Sequence, residues 1–344
     1  MPAIIDLVNL RFFTTELHGV TRREKILSYQ NSVVLRVLRG YILYFLLLLA
    51  FFTFSCKSAP KTTYTMPDEN SAIPLDSGAM GYIFADVQKS RPILQYIIFN
   101  GMNDKQFQQM LDVTQFAVAA VSPPQSSRRY QLVAWGNYPS SRAKLALGAS
   151  KGWKKIRSPV SGAWYWHNAQ QKISIAINPD QAFVLTVKEN NSGELSPDIS
   201  TDPFSAAAGV TAPKDFGEFS RGAVFSGWFD NPGPVINQKF QAMGIPFELP
   251  TERLFISFFP LDEKQRYQAR LKIQVASERQ ARALITVFNL ARNLLAPQTD
   301  SDSVAILASI LFANPPVLDG KNLNINTSAL SDRELALLLK MFSL

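Results

Sequence analysis

A single thiol, Cys56, lies in the stretch LLLAFFTFSCKSAP, where an apolar run gives way to polar sequence, and it is the only cysteine in 344 residues. One cysteine excludes an internal disulfide, and with His18 and His167 as the only imidazoles the chain holds no soft-ligand set for a metal. Lipid attachment is the chemistry open to a lone thiol at such a boundary. A second group, SGAWYWHNAQQ from Ser161 to Gln171, concentrates Trp164, Tyr165, Trp166 and His167. Flat rings beside amides match the faces and hydroxyls of sugars, so Trp164 and Trp166, on one side of a strand, form a candidate glycan platform. His167 as a catalytic base would need a nucleophile, and no G-x-S-x-G elbow occurs. In TDSDS, Asp300 and Asp302 could begin a calcium loop, but Ala305 and Leu311 stand where that loop needs Gly and Glu. No phosphate-cradling or dinucleotide fingerprint occurs either, so no cofactor, no metal and no catalysis are expected.

The apolar run that positions Cys56 spans Tyr41 to Phe54 and follows Arg36 and Arg39. Basic, then apolar, then small residues is the plan of a secretory signal, and fourteen residues are too few to span a bilayer comfortably. Ser55 directly before Cys56 resembles the lipobox of bacterial lipoproteins, although Thr53 and Phe54 depart from its usual Leu and small residue; such relaxed boxes are most similar to those of spirochaetal lipoproteins. The resemblance implies cleavage before Cys56, acylation of its sulfur and amine, and anchoring by acyl chains, each buried methylene contributing about 0.8 kcal/mol. Lys57, rather than Asp, after the cysteine leans toward the outer membrane, on the periplasmic face or the cell surface. Forty residues ahead of the run exceed an ordinary basic region, and a start near Val33 or Leu35 is one reading of residues 1–31.

The organisation expected is a signal at 1–55, a flexible Pro-, Ser- and Thr-rich tether at 56–77, a first α+β half at 78–189, a linker at 190–219 and a second half at 220–344. The formal charge is +8; the first 55 residues hold six Lys/Arg against three Asp/Glu, and the remaining surplus reads as mild and spread along the chain. That distribution argues against nucleic acid as a partner.

Within the halves the periodicities alternate between strand and helix. Tyr267 to Val275 alternates apolar and polar residues strictly, the pattern of a strand with one wet face. Ser277 and Gln280 match a capping box that opens a helix to about Leu295; Ser331 and Glu334 match another, opening a helix with Leu335, Leu338, Leu339 and Phe342. A helix is expected over about Asp104 to Val121, with Leu111, Thr114, Val118 and Val121 on one side. Strands are expected at Tyr130 to Trp135, Ala163 to His167, Lys172 to Ile177 and Ala182 to Val187, forming a meander. GYIFADVQKSRP from Gly81 and GAVFSGWFDNP from Gly222 echo each other 141 residues apart, which aligns Phe84 with Phe225. The fold expected is therefore α+β, with two related halves, each a largely antiparallel sheet covered on one face by helices.

Val304 to Ala313, VAILASILFA, is more apolar than a surface helix, so it is a core helix, the wall of an apolar ligand site formed by Val304, Ile306, Leu307, Ile310 and Leu311, or a patch that dips into lipid. The function expected is a membrane-anchored envelope lipoprotein acting as a binding module for a lipid or other apolar ligand. A structural or assembly role through an exposed sheet edge, with another envelope protein as partner, remains open beside it, and glycan binding behind both.

Overall fold

Among the described residues twelve strands, each antiparallel to its neighbours, join in one sheet: β1 (Gly81–Asp86), β2 (Thr114–Val121), β3 (Arg128–Gly136), β4 (Trp153–Arg157), β5 (Trp164–Asn168), β6 (Ile173–Ile177), β7 (Gln181–Val187), β8 (Phe225–Asp230), β9 (Arg253–Asp262), β10 (Arg266–Gln274), β11 (Val317–Asp319) and β12 (Asn322–Leu330). Their order is β11-β12-β10-β9-β8-β1-β2-β3-β7-β6-β5-β4. The computed structural model describes residues 73–76, 78–94, 108, 111–123, 128–187, 201–205, 209–242, 249–262, 266–295, 313–332 and 334–335.

The expectation of a sheet in each half is corrected: β1 pairs with β8, Gly81 opposite Phe229, so the strands from both sides of the chain's midpoint share one ladder. Glycine suits position 81, because a Cβ there would run into the ring of Phe229. The helix expected to reach Val121 is also corrected. Residues 111–113 are helical, but Thr114 to Val121 is a central strand paired with β1 and β3. In TQFAVAAV the positions 114, 118 and 121 fit a helical period, while Thr114, Phe116, Val118 and Ala120 fit a period of two; two flanking strands offer ladders to both edges and decide for the latter.

Strands β5, β6 and β7 form a meander as the turns between them imply, but the expected four-strand meander is corrected: β3 pairs with β7 rather than with β5, whose other edge takes β4. Strand β10 buries Tyr267, Ala269, Leu271 and Ile273 and leaves the alternate residues wetter. Strand β9, RLFISFFPLD, has no such alternation because Leu254 to Phe258 are buried on both faces.

Four helices complete the described elements: α1 (Ser140–Ala149), α2 (Phe216–Ser220), α3 (Gly233–Ala242) and α4 (Glu278–Leu295). Ser277 Oγ accepts from the Gln280 N–H at 3.3 Å and caps α4, while the Gln280 side-chain oxygen makes no return bond. The second box closes fully: Glu334 N–H donates to Ser331 Oγ and Ser331 N–H to Glu334 Oε2. Ala143 and Leu147 of α1 and Ala281 and Leu284 of α4 join one core with Trp166, Val184, Phe225, Leu271 and Leu323, which places these helices on one side of the sheet.

The opposite side is covered by chain of a different kind. Residues 73–76, 78–80, 201–205 and 209–215 and the short α2 bring Ile73, Leu75, Val210, Ala212 and Phe216 onto Tyr82, Phe84, Val118, Val133, Trp228 and Phe255. The stretch expected as a connector thus contributes core residues. Gln131, buried under it, accepts from Asp76 N–H at 2.8 Å and donates to the Pro203 carbonyl at 3.3 Å, tying two irregular segments to β3.

Candidate functional site

The helix-side surface at the middle of the sheet is lined by small residues. Strand pairing sets two rows across it. One runs from Gly227 through Ile83 and Ala119 to Leu132; the other from Phe225 through Ala85, Ala117 and Ala134 to Ala182. Side chains alternate along each strand, so these residues share one face while Tyr82, Phe84, Phe116, Val118, Val133 and Trp228 take the other. Ile83, Ala117, Ala119 and Leu132 are only half-buried although their strands are flanked on both edges. The result is an apolar floor, lower than its surroundings by the missing carbons of its alanines and glycine, bounded by Phe225 and Phe229 on the β8 side.

The aromatic face is filled instead. Phe216 stands edge-on to Trp228 with centroids 4.7 Å apart, Phe84 stacks on Trp228 at 5.1 Å and Tyr82 lies 4.8 Å from it. The Tyr82 hydroxyl donates to the Asp76 carbonyl, and burial pushes its pKa well above the usual tyrosine value. That hydroxyl is a structural anchor, held protonated.

The residues singled out in the sequence are placed unequally. Cys56 and the candidate wall Val304, Ile306, Leu307, Ile310 and Leu311 lie outside the described residues, as do Asp300 and Asp302. Trp164 is 48% exposed, whereas Trp166 is buried in the core with α1. A two-ring glycan platform is therefore not formed: of the two rings on that face, Trp166 is buried and Trp164 is open. Over that exposed ring lies Lys155, its Nζ 4.3 Å from the centroid. His167 is a buried strand histidine whose Nδ1 lies 3.0 Å from Ser174 Oγ; burial lowers its pKa, and Lys154 directly across the ladder lowers it further. Among the described residues no three His, Cys, Asp or Glu side chains group as metal ligands, and no helix is long and apolar enough to cross a membrane.

Sequence reasoning missed the alanine floor because it read TQFAVAAV as helix. The signal was present: Ala117 and Ala119 alternate with Phe116, Val118 and Ala120, so a period of two separates a small face from a large one. A shallow depression of about 300 Å³ at the start of α3 is lined by Asn231, Asn237, Glu252 and Gln280 together with Pro234, Leu249, Pro250 and Ala276.

The reading of charge as evenly spread is corrected. Residues 113–179 hold nine Lys/Arg and no Asp/Glu, and the fold gathers most of them at the β4 end of the sheet.

The architecture is that of an α+β protein built on one large antiparallel sheet. Residues 72–200 match the family described as outer membrane-associated lipoprotein TP0453, a description that agrees with the anchoring and the outer-membrane location expected from Cys56 and Lys57. The solved structure of TP0453 in crystal form III is similar in fold, with a TM-score of 0.51 at 16% identity over 78% of this chain and 96% of that one. Crystal form IV aligns with a TM-score of 0.50 at 16% identity, over 78% and 97% of the two chains. At that identity the likeness establishes the fold. No curated protein matches the chain.

Proposed function

We propose that this protein is an outer membrane-associated lipoprotein, acylated at Cys56, whose folded body binds a lipid or other apolar ligand without catalysing a reaction. The observation that carries the binding function is the half-buried floor of Ile83, Ala117, Ala119 and Leu132 in the middle of the sheet. Central strands ordinarily bury both faces under large side chains; here one face is packed with rings and the other is kept low and apolar. An acyl chain laid along that floor gains about 0.8 kcal/mol per buried methylene. The anchoring itself is supported by the leader, the single cysteine and the family description.

We also read the chain as two related halves. From β1, helical residues at 91–94 and 111–113 lead to β2, β3, α1 and β4; from β8, α3 leads to β9, β10, α4 and β11. The antiparallel β1–β8 pair is the join that a twofold relation would produce. Phe84 and Phe225 fall on opposite faces, so the echo written from the glycines is out of register; β1 and β8 correspond through Asp86 and Asp230 at their ends.

Native mass spectrometry with solvent extraction, on the acyl-free form from Lys57 to Leu344, tests the binding function. A stoichiometric extractable mass, absent from Ala117→Phe, is the expected outcome. A clean apo mass before delipidation would abandon it and favour the assembly role, for which the short edge strands β4 and β11 offer unpaired backbone.

A further inference from the structure

The β4 end of the sheet combines charge and apolar exposure in a way that the proposed lipid floor does not use. Strand β4 pairs with β5 so that Lys155 faces Trp166 and Arg157 faces Trp164 across the ladder. Trp153 and Trp166 belong to the core that α1 covers, so Lys155, Arg157 and Trp164 emerge on the same side of the sheet as α1. Helix α1 itself presents Lys144 and Leu145 to solvent, and Lys151 stands exposed in the turn that leads to β4. Three of the five large hydrophobic residues most exposed among the described ones, Leu145, Val160 and Trp164, lie in this one end. Among the described residues the carboxylate in contact with it, Asp202, is buried and accepts from Ser158 Oγ and Phe204 N–H. It lies beneath the surface and leaves the cations outside unpaired by it.

We propose that this end of the sheet, with Lys144, Lys151, Lys155 and Arg157 around Trp164 and Leu145, docks on the anionic phospholipid headgroups of the membrane that holds the chain. The proposal rests on the anchoring read at Cys56, which makes that membrane the nearest large surface. Ile73 follows Cys56 by seventeen residues, a span of at most about 60 Å even when fully extended. Cations within a Debye length of an anionic leaflet are each attracted by a factor of roughly five, and an indole beside them suits the boundary between headgroup and acyl chain. Charge complementarity thus selects the occupant. The Lys155 ammonium over the Trp164 ring keeps cation and ring together as one contact. Docking by this edge would fix which way the helix-side floor faces.

The test is sedimentation of the acyl-free form from Lys57 to Leu344, which contains every described element, with vesicles of neutral phosphatidylcholine or of phosphatidylcholine containing 30% phosphatidylglycerol. The expected result is binding to the anionic vesicles alone, lost in high salt and weakened roughly a hundredfold in K144Q/K155Q/R157Q. Lys321→Gln, at the opposite edge of the sheet, should leave it unchanged. All four side chains are exposed, and matching unfolding midpoints establish that the variants fold. Equal binding to neutral vesicles, or full binding by the triple variant, overturns the proposal. Tighter binding to a single-stranded oligonucleotide than to the anionic vesicles, lost in the same variant, also overturns it and assigns the patch to nucleic acid. The mass of the processed N-terminus is read separately: absence of acyl chains on Cys56 would remove the anchor while leaving the vesicle result standing.

Discussion

On one face of the central strands Tyr82, Phe84, Phe116, Trp228 and Phe255 interlock with Phe216 and with the segments that carry Ile73, Leu75, Val210 and Ala212. On the other face the same region of β1, β2 and β3 leaves Ile83, Ala117, Ala119 and Leu132 half-buried, beside Ala85, Ala134, Ala182 and Gly227, which are buried. Both faces are apolar, but they answer different demands. The aromatic face has no room to give, because rings in contact on several sides transmit any change in volume. The alanine floor contributes less packing of its own and leaves an apolar surface that something else can complete. Stability is therefore expected to be concentrated on the first face and ligand binding on the second.

Four substitutions or conditions would break or sharpen that contrast. Trp228→Ala removes the ring that touches Tyr82, Phe84 and Phe216, and should cost about 3–5 kcal/mol in denaturant unfolding. A loss below 1 kcal/mol would mean the aromatic face is not the stabilising one. Gly81→Ala drives a methyl into Phe229 and should cost about 1–3 kcal/mol, with the effect spreading across the β1–β8 join. Hydrogen exchange that weakens only β1 would show the join to be loose. Next is acidity. Burial holds the His167 pKa below its ordinary value, so the stability linked to its neutral form is present above about pH 6.5 and is lost as pH falls through the lower folded value. The melting temperature should drop from pH 7 to pH 5, and His167→Gln should flatten part of that slope; an unchanged slope would place the titration elsewhere. The smallest effect is expected on the floor, where Ala117→Leu should change stability by no more than about 1 kcal/mol while abolishing the extractable ligand mass. A large destabilisation there would show the floor to be closed core.

Much of the periphery was legible in local pattern. Strand β10 and the start of α4 follow from strict alternation and from a Ser three residues before Gln280; β5, β6 and β7 follow from turns that separate short apolar runs. The centre was not legible. Strand β2 satisfies helical and strand periods at once, and β9 is buried on both faces, so neither carries a one-sided signature. The glycan pair failed for a related reason: Trp164 and Trp166 do share a face, but whether a ring on that face is wet depends on where α1 lies.

Residue types alone determined that this chain has one thiol and no cluster of metal ligands among its cysteines and histidines, with an apolar leader ahead of that thiol, because composition and short-range order need no partner to be read. They also determined that residues 113–179 carry nine Lys/Arg and no Asp/Glu. Tertiary structure decided that two runs of strands make one sheet, that the small residues of five strands line up as a floor, and that the cations collect beside Trp164 at one edge. Those outcomes depend on which strand lies beside which, and pairing between residues 144 positions apart, as Ile83 with Gly227, is settled by the burial of whole faces rather than by any local preference.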